Sequence, residues 1–161
     1  MLSVEGPGTD LTAHEAYHRS YGFGLNLEQE IDAGLGVFAR LGWNDGKTQA
    51  LEFTDANWGI SAGVSLEGSL WNQPSHHGGV AVYLAGASKA NQDYLRAGGL
   101  GILDGDGFLS YGAEKSLTPY YDIEFVPSLH FALQYQLTVD PAFNRDRGPI
   151  STLMFRFHYE L

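Results

Sequence analysis

The sequence contains no cysteine. That removes a disulfide framework, a thiol nucleophile and any cysteine-based metal site. Positive charge is scarce as well. Nine Lys and Arg stand against 19 Asp and Glu, for a formal net charge of -10. This argues against nucleic acid as a partner, which is bound by a basic face, and against a polybasic patch for anionic lipid. No run of about 18 apolar residues occurs, so the sequence holds no transmembrane helix. No G-x-S-x-G elbow or P-loop is present, and the spacing of Ser, His and acidic residues supports no triad. The opening stretch, MLSVEGPGTDL, has neither a basic n-region nor an apolar h-region, so it is not a signal peptide. The expectation is a processed chain or a piece of a longer one.

What the sequence has in quantity is glycine, 21 residues, and aromatics, 13% of the 161 residues. The length suits one domain. Mean hydropathy is -0.18, but that average is uninformative for membrane strands, in which lipid-facing apolar residues alternate with polar ones. From residue 21 onward period-two patterns recur and helical periodicity is nearly absent. Seven strands are expected, over residues 21–31, 35–44, 57–69, 79–87, 116–125, 129–139 and 151–161. Each is close to the ~9–11 residues that a tilted membrane strand needs. The last is the cleanest: Leu153, Phe155, Phe157, Tyr159 and Leu161 alternate with Thr152, Arg156, His158 and Glu160. Pro119 interrupts the fifth, since proline lacks a ladder donor.

The connections alternate in length. Residues 32–34 and 126–128 form tight turns and residues 70–78 a medium one, with His76 and His77 inside it. Between them lie longer segments at residues 45–56, 88–115 and 140–150. Membrane barrels have short periplasmic turns and long extracellular loops, and every connection falls on the side its length predicts. Short helices are expected near residues 90–97 and 11–19. Residues 1–20 read as an extracellular loop remnant or a disordered N-terminus, and residues 21–161 as the C-terminal strands of a barrel.

A soluble antiparallel sheet with one buried face would also alternate. Two further features favour the membrane. Aromatics cluster near strand ends on the apolar parity (Tyr21, Trp43, Trp58, Phe125, Tyr135, Tyr159), as interface girdles do. The opposite parity carries Gly, Ser, Asn, Gln, Tyr and isolated charges rather than a dense Lys/Glu surface. The expected fold is therefore all-β: an antiparallel up-and-down transmembrane β-barrel, of which this chain supplies about seven strands. Single-chain bacterial barrels have an even number of strands, about eight or more, and an open edge in lipid is prohibitive.

Several segments carry a resemblance. They are YGFGLNLEQEI (residues 21–31), GVFARLGWNDGKTQALEFTDAN (36–57), GVAVYLAGASKANQDYLRAGGLGILDGDG (79–107) and DPAFNRDRGPISTLMFRFHYEL (140–161). Together they resemble the carbohydrate-selective porins of the OprB type, and the AGGLGxLxGDG and NRDRGP strings are the most specific part of the match. The resemblance implies the C-terminal part of a sixteen-stranded barrel in the bacterial outer membrane. It implies passive diffusion of small sugars such as monosaccharides, no cofactor, and as partners the outer-membrane lipid and the missing N-terminal strands of the same barrel.

A sugar pore needs polar groups that replace water around hydroxyls yet let the sugar leave. Aromatic faces can exclude water from sugar C–H surfaces. On the polar parity the candidates are Glu28, Arg40, Tyr83, Tyr120, Glu124, Gln134, Gln136, Arg156 and His158. Arg40 and Arg156 stand out because a guanidinium is a fork of donors; for Arg156 an ion pair with Glu160 is the competing role. Asn144, Arg145, Asp146 and Arg147 form either a loop folded over the pore mouth or an ion-pair turn. Asp104 and Asp106 lack the remaining ligands of a calcium loop. His14, Glu15 and His18 match the H-E-x-x-H zinc pattern, which on a helix could grip zinc with Glu15 as general base. The metzincin continuation is absent, and a chance match in a polar loop is expected, so no catalytic or metal residue is assigned. Alternatives to a sugar porin are a general or differently selective porin, a hydrolase (barrel-embedded or zinc-dependent) and a soluble all-β binding protein.

Overall fold

In the computed structural model, which describes residues 19–47, 56–100 and 108–159, the alternating segments are extended and paired. They form β1 (Gly22–Asp32), β2 (Leu35–Asn44), β3 (Trp58–Glu67), β4 (His76–Gly86), β5 (Glu114–Val126), β6 (Leu129–Val139) and β7 (Ile150–Tyr159). Each pairs antiparallel with the next, giving one seven-stranded sheet in chain order. β2 and β6 have the expected bounds.

β4 begins three residues before its expected start. The reason lies in Gly78 and Gly79, which have no side chain with which to display alternation. They nevertheless pair with Leu66 and Ser65 on one side and with Tyr121 and Tyr120 on the other. His76 and His77 therefore belong to the strand rather than to the turn, and they point to opposite faces. Pro119 is accommodated inside β5. It sits opposite Val80, while the β5–β6 ladder passes from Leu117↔Leu137 to Tyr120↔Gln134 without recording Thr118 or Pro119. The missing proline N–H accounts for that gap.

Register carries most of the large apolar residues of the seven strands to one face. Leu25, Leu41, Ile60 and Leu84 follow one another across β1 to β4; Ile123, Phe131 and Phe157 do so across β5 to β7. Leu25 is 69% exposed and Phe157 75%. A soluble sheet covers such a face with a second layer. Among the described residues nothing covers this one, as expected of a surface made for lipid. Aromatics gather at both ends of the apolar band. Trp43 lies 5.8 Å from Tyr21 and from Phe23 at one end. At the other, Trp71 Nε1 donates to the Tyr121 hydroxyl (3.2 Å), which also meets His76 Nδ1 (2.7 Å).

The two ends of the sheet differ. At one, β1–β2 turns through Ala33 and Gly34 (φ 84°), β5–β6 through Pro127 and Ser128 (φ 72°), and β3–β4 through a 3-10 turn at Gly68–Trp71. At the other lie the long connections. The β4–β5 connection contains helix α1 (Lys89–Arg96), one residue earlier than expected and N-capped by Ser88, whose side chain accepts from Asn91 N. Here the long connections share a small core of buried Ala85, Ala87 and Phe143, with Ala56 and Tyr111 packed against it. β1 and β7 are the edges of the sheet.

Candidate pore wall

The face opposite the apolar band is lined by the polar parity of every strand. Its texture comes from aromatic rings laid over glycines. A Cβ built on Gly79 would meet the Tyr120 ring at 2.7 Å and one on Gly63 the Phe38 ring at 2.5 Å, both directly across the ladder. A Cβ on Gly59 would meet the Tyr83 ring at 3.2 Å. Only glycine lets these rings lie flat on the wall, and each then offers a broad face.

Two recesses indent this face. The first, about 400 Å³, lies toward the long-loop end of β2, β3 and β4. Arg40, Gly42, Asn44, Gly59, Ser61 and Tyr83 supply most of its lining, with Ala56 and Asn57 at its rim. Its volume falls within the range of small-ligand sites, about 300–1,000 Å³. Arg40 is oriented by β1: Nε donates to Asn26 Oδ1 at 3.0 Å and one terminal nitrogen donates to Glu28 Oε1 at 2.8 Å. Its guanidinium also lies 5.3 Å from the centre of the Phe38 ring. The three groups meet because Asn26 pairs with Arg40 and Glu28 with Phe38 in the β1–β2 register. The guanidinium keeps donors beyond those it has used, and Glu28 keeps an acceptor oxygen. A fixed donor beside a fixed acceptor matches the paired hydroxyls of a polyol.

The second recess, about 510 Å³, is lined by Tyr120, Ala132, Gln134, Met154, Phe155 and Arg156 of β5, β6 and β7. Gln134 lies between Tyr120 and Met154 in register. Arg156 approaches Asp122 Oδ2 only to 3.7 Å, and Asp122 Oδ1 is engaged by His130 Nδ1 at 2.9 Å. Its expected partner Glu160 lies outside the described residues. From the register, Tyr120 is four residues along β5 from Ser116, the partner of Tyr83. The two rings are thus separated along the strand by about 13 Å.

The remaining candidates occupy the same face without joining either recess. Glu124 accepts from Ser128 N at 3.2 Å and so ties the β5–β6 turn. Gln136 donates to Thr138 Oγ1 at 3.2 Å. His158 pairs with His130, ring centres 6.1 Å apart. In the last long loop the hydrogen bonds centre on Asn144, which is buried. Its Oδ1 accepts from Asp146 N, its carbonyl from Arg147 N, and it bridges to Tyr111, while Arg145 N donates to Ser110 O. His14, Glu15, His18, Asp104 and Asp106 lie outside the described residues, among which no group of three or more His, Cys, Asp or Glu side chains is placed to hold a metal ion.

Sequence reasoning missed Ser61, Asn44 and Asn57 at the first recess and Ala132 and Met154 at the second. Gly42 and Gly59, both on the polar parity near Tyr83, were the available signal for an open wall. The family model described as "Carbohydrate-selective porin, OprB family" matches residues 3–161. No match was found among curated proteins or among solved structures.

Proposed function

The chain belongs to the carbohydrate-selective porin family of the OprB type, and from that membership we propose that it forms part of the wall of an outer-membrane pore passing small neutral sugars, monosaccharides foremost, by passive diffusion. The observation that carries the proposal is the orientation of Arg40. Held by Asn26 and Glu28 of β1, it lines one recess together with the Tyr83 ring, over a floor of Gly42 and Gly59, so that oriented donors and an apolar ring face share that recess. Both suit a pyranose, whose hydroxyls accept hydrogen bonds and whose C–H face is apolar. The recess is open, so a sugar held there can leave, as conduction requires. No covalent step and no cofactor is needed.

The apolar band faces bilayer lipid of a Gram-negative outer membrane, with the short-turn end toward the periplasm. Edges β1 and β7 need partner strands in lipid, since an unpaired backbone is not tolerated there. Further strands of the same barrel are the natural partners. Liposome swelling with the complete protein tests the function. Monosaccharides should enter several-fold faster than amino acids of matched size. Equal rates would reduce the pore to a general one.

A further inference from the structure

Asn57 joins three strands and a helix, yet nothing in the sugar chemistry of the recess requires it. It stands at the recess rim just before β3 and is 8% exposed. Its backbone is tied to both neighbours of β3: the carbonyl accepts from Asn44 N at 2.7 Å, and the N–H donates to Gly86 O at 2.9 Å. Both ends of its amide are occupied too. Nδ2 donates to Asn44 Oδ1 at 2.9 Å, and Oδ1 accepts from Ser88 N at 2.7 Å. Each partner is itself fixed. Asn44 Oδ1 also accepts from Gly46 N (2.9 Å). The Ser88 hydroxyl donates to Gly46 O (3.2 Å) and caps α1 by accepting from Asn91 N (3.1 Å). One buried amide thus fastens the start of the long β4–β5 connection, and with it α1, to the rim of the recess. Buried amides of this kind lose both bonds when truncated, and the orphaned partners must find water.

We propose that Asn57 is a positioning residue that sets how readily a sugar moves between the Arg40–Tyr83 recess and the long-loop mouth, by pinning the β4–β5 connection at the recess rim. The inference rests on the reading of that recess as a sugar site. It requires an effect confined to one mouth. The short-turn end lies at the far side of the recess, and Asn57 makes none of its bonds there.

The test uses the complete porin in planar bilayers with known insertion direction, glucose added to one side at a time, and the ion-current interruptions counted. In N57A the entry rate from the long-loop side should rise about tenfold, the equivalent of roughly one lost hydrogen bond of ~1.4 kcal/mol. In S88A, whose altered residue lines neither recess, entry from the short-turn side and ionic conductance should stay within twofold of the unaltered protein. S88A, which removes the Gly46 tie and the helix cap but keeps Asn57, should show the same one-sided change at smaller size, and it tests the claim even where N57A does not fold. Equal changes from both sides, or none in either variant, overturn the proposal. If R40Q abolishes the interruptions while N57A leaves their sidedness unchanged, the sugar site stands and the pinning role falls. If glucose never interrupts the current of the unaltered protein, both fall.

Discussion

The two recesses of the candidate pore wall each contain an arginine and a tyrosine, but they hold their arginines differently. In the β2–β3–β4 recess, Arg40 is bonded through Nε and a terminal nitrogen to two β1 side chains and stands over a ring. In the β5–β6–β7 recess, Arg156 has 69% of its side chain exposed and reaches Asp122 only at 3.7 Å, beyond hydrogen-bond range. Register explains the contrast. Asn26 is directly opposite Arg40 on the adjacent strand, whereas Asp122 is two strands from Arg156 with Ala132 between them. Adjacent strands are about 4.8 Å apart, so Arg40 finds partners at bonding distance and Arg156 must stretch toward its own. A neutral sugar responds to fixed directional donors; an ion responds to charge. On the proposed function, Arg40 is expected to act through directed hydrogen bonds and Arg156 through its charge.

The largest effect expected from breaking this comparison is on the wall itself. A Cβ on Gly79 would meet the Val64 carbonyl at 2.5 Å as well as the Tyr120 ring, whereas one on Gly59 meets only the edge of the Tyr83 ring. G79A should destabilise the folded barrel by about 1–3 kcal/mol through overpacking and G59A by clearly less, as read from thermal unfolding in detergent. Equal losses would mean that Gly79 and Gly59 accommodate their rings in the same way.

Next comes the division of labour between the arginines. R40Q should lower sugar permeability in swelling assays about tenfold, equivalent to ~1.4 kcal/mol of lost charge-assisted bonding. R156Q should lower it less than threefold while reducing anion permeability more than R40Q does. The reverse ranking would exchange their roles.

A smaller change should follow from E28Q. Arg40 then keeps its place through Asn26 but loses its counter-charge. Both side chains are 59% exposed, so water and salt screen the pair and its energetic effect is small. A modest shift toward anions in the reversal potential is expected. No shift would mean that the pair contributes orientation alone.

The smallest effect concerns pH in the helix whose cap, Ser88, is bonded to Asn57 of the first recess. On α1, the bond from Lys89 and the nearby charges of Lys89 and Arg96 hold the Asp93 carboxyl below the ordinary value of 3.8. A depressed folded value means the contribution is complete above the unfolded value and is lost as pH falls through the lower, folded one. Hydrogen exchange at the α1 amides should therefore be insensitive to acid protonation down to about pH 4 and lose protection below it, allowing for the intrinsic pH dependence of exchange. The β5–β6–β7 recess, which has no such helix at its rim, should show no parallel change. An identical response in D93N would remove Asp93 from the account.

Much of this organisation is legible in the sequence. Leu35 to Asn44 and Leu129 to Val139 keep one parity apolar throughout, broken on the other only by Phe38 and Ala132, and their strand bounds follow directly. His76 and His77 were misplaced because the two glycines after them carry no pattern. The parity of Arg40, Tyr83, Tyr120, Gln134 and Arg156 was correct for each. Their grouping into two recesses was not legible, because it depends on which residues lie opposite one another. Asn57 was invisible for a different reason: it read only as the first residue of the third strand, and its role depends on Ser88 and Asn44, brought to it by the pairing of three strands.

Alternation is local, since successive side chains on an extended backbone point to opposite faces whatever the strand pairs with. The sequence by itself therefore determined the strands, the apolar and polar faces and the end at which each connection lies. The tertiary structure decided which residues meet. A register fixes partners 14 residues apart for Asn26 and Arg40 and 31 apart for Asn57 and Ser88, and a slip of one residue would send every one of them to the other face.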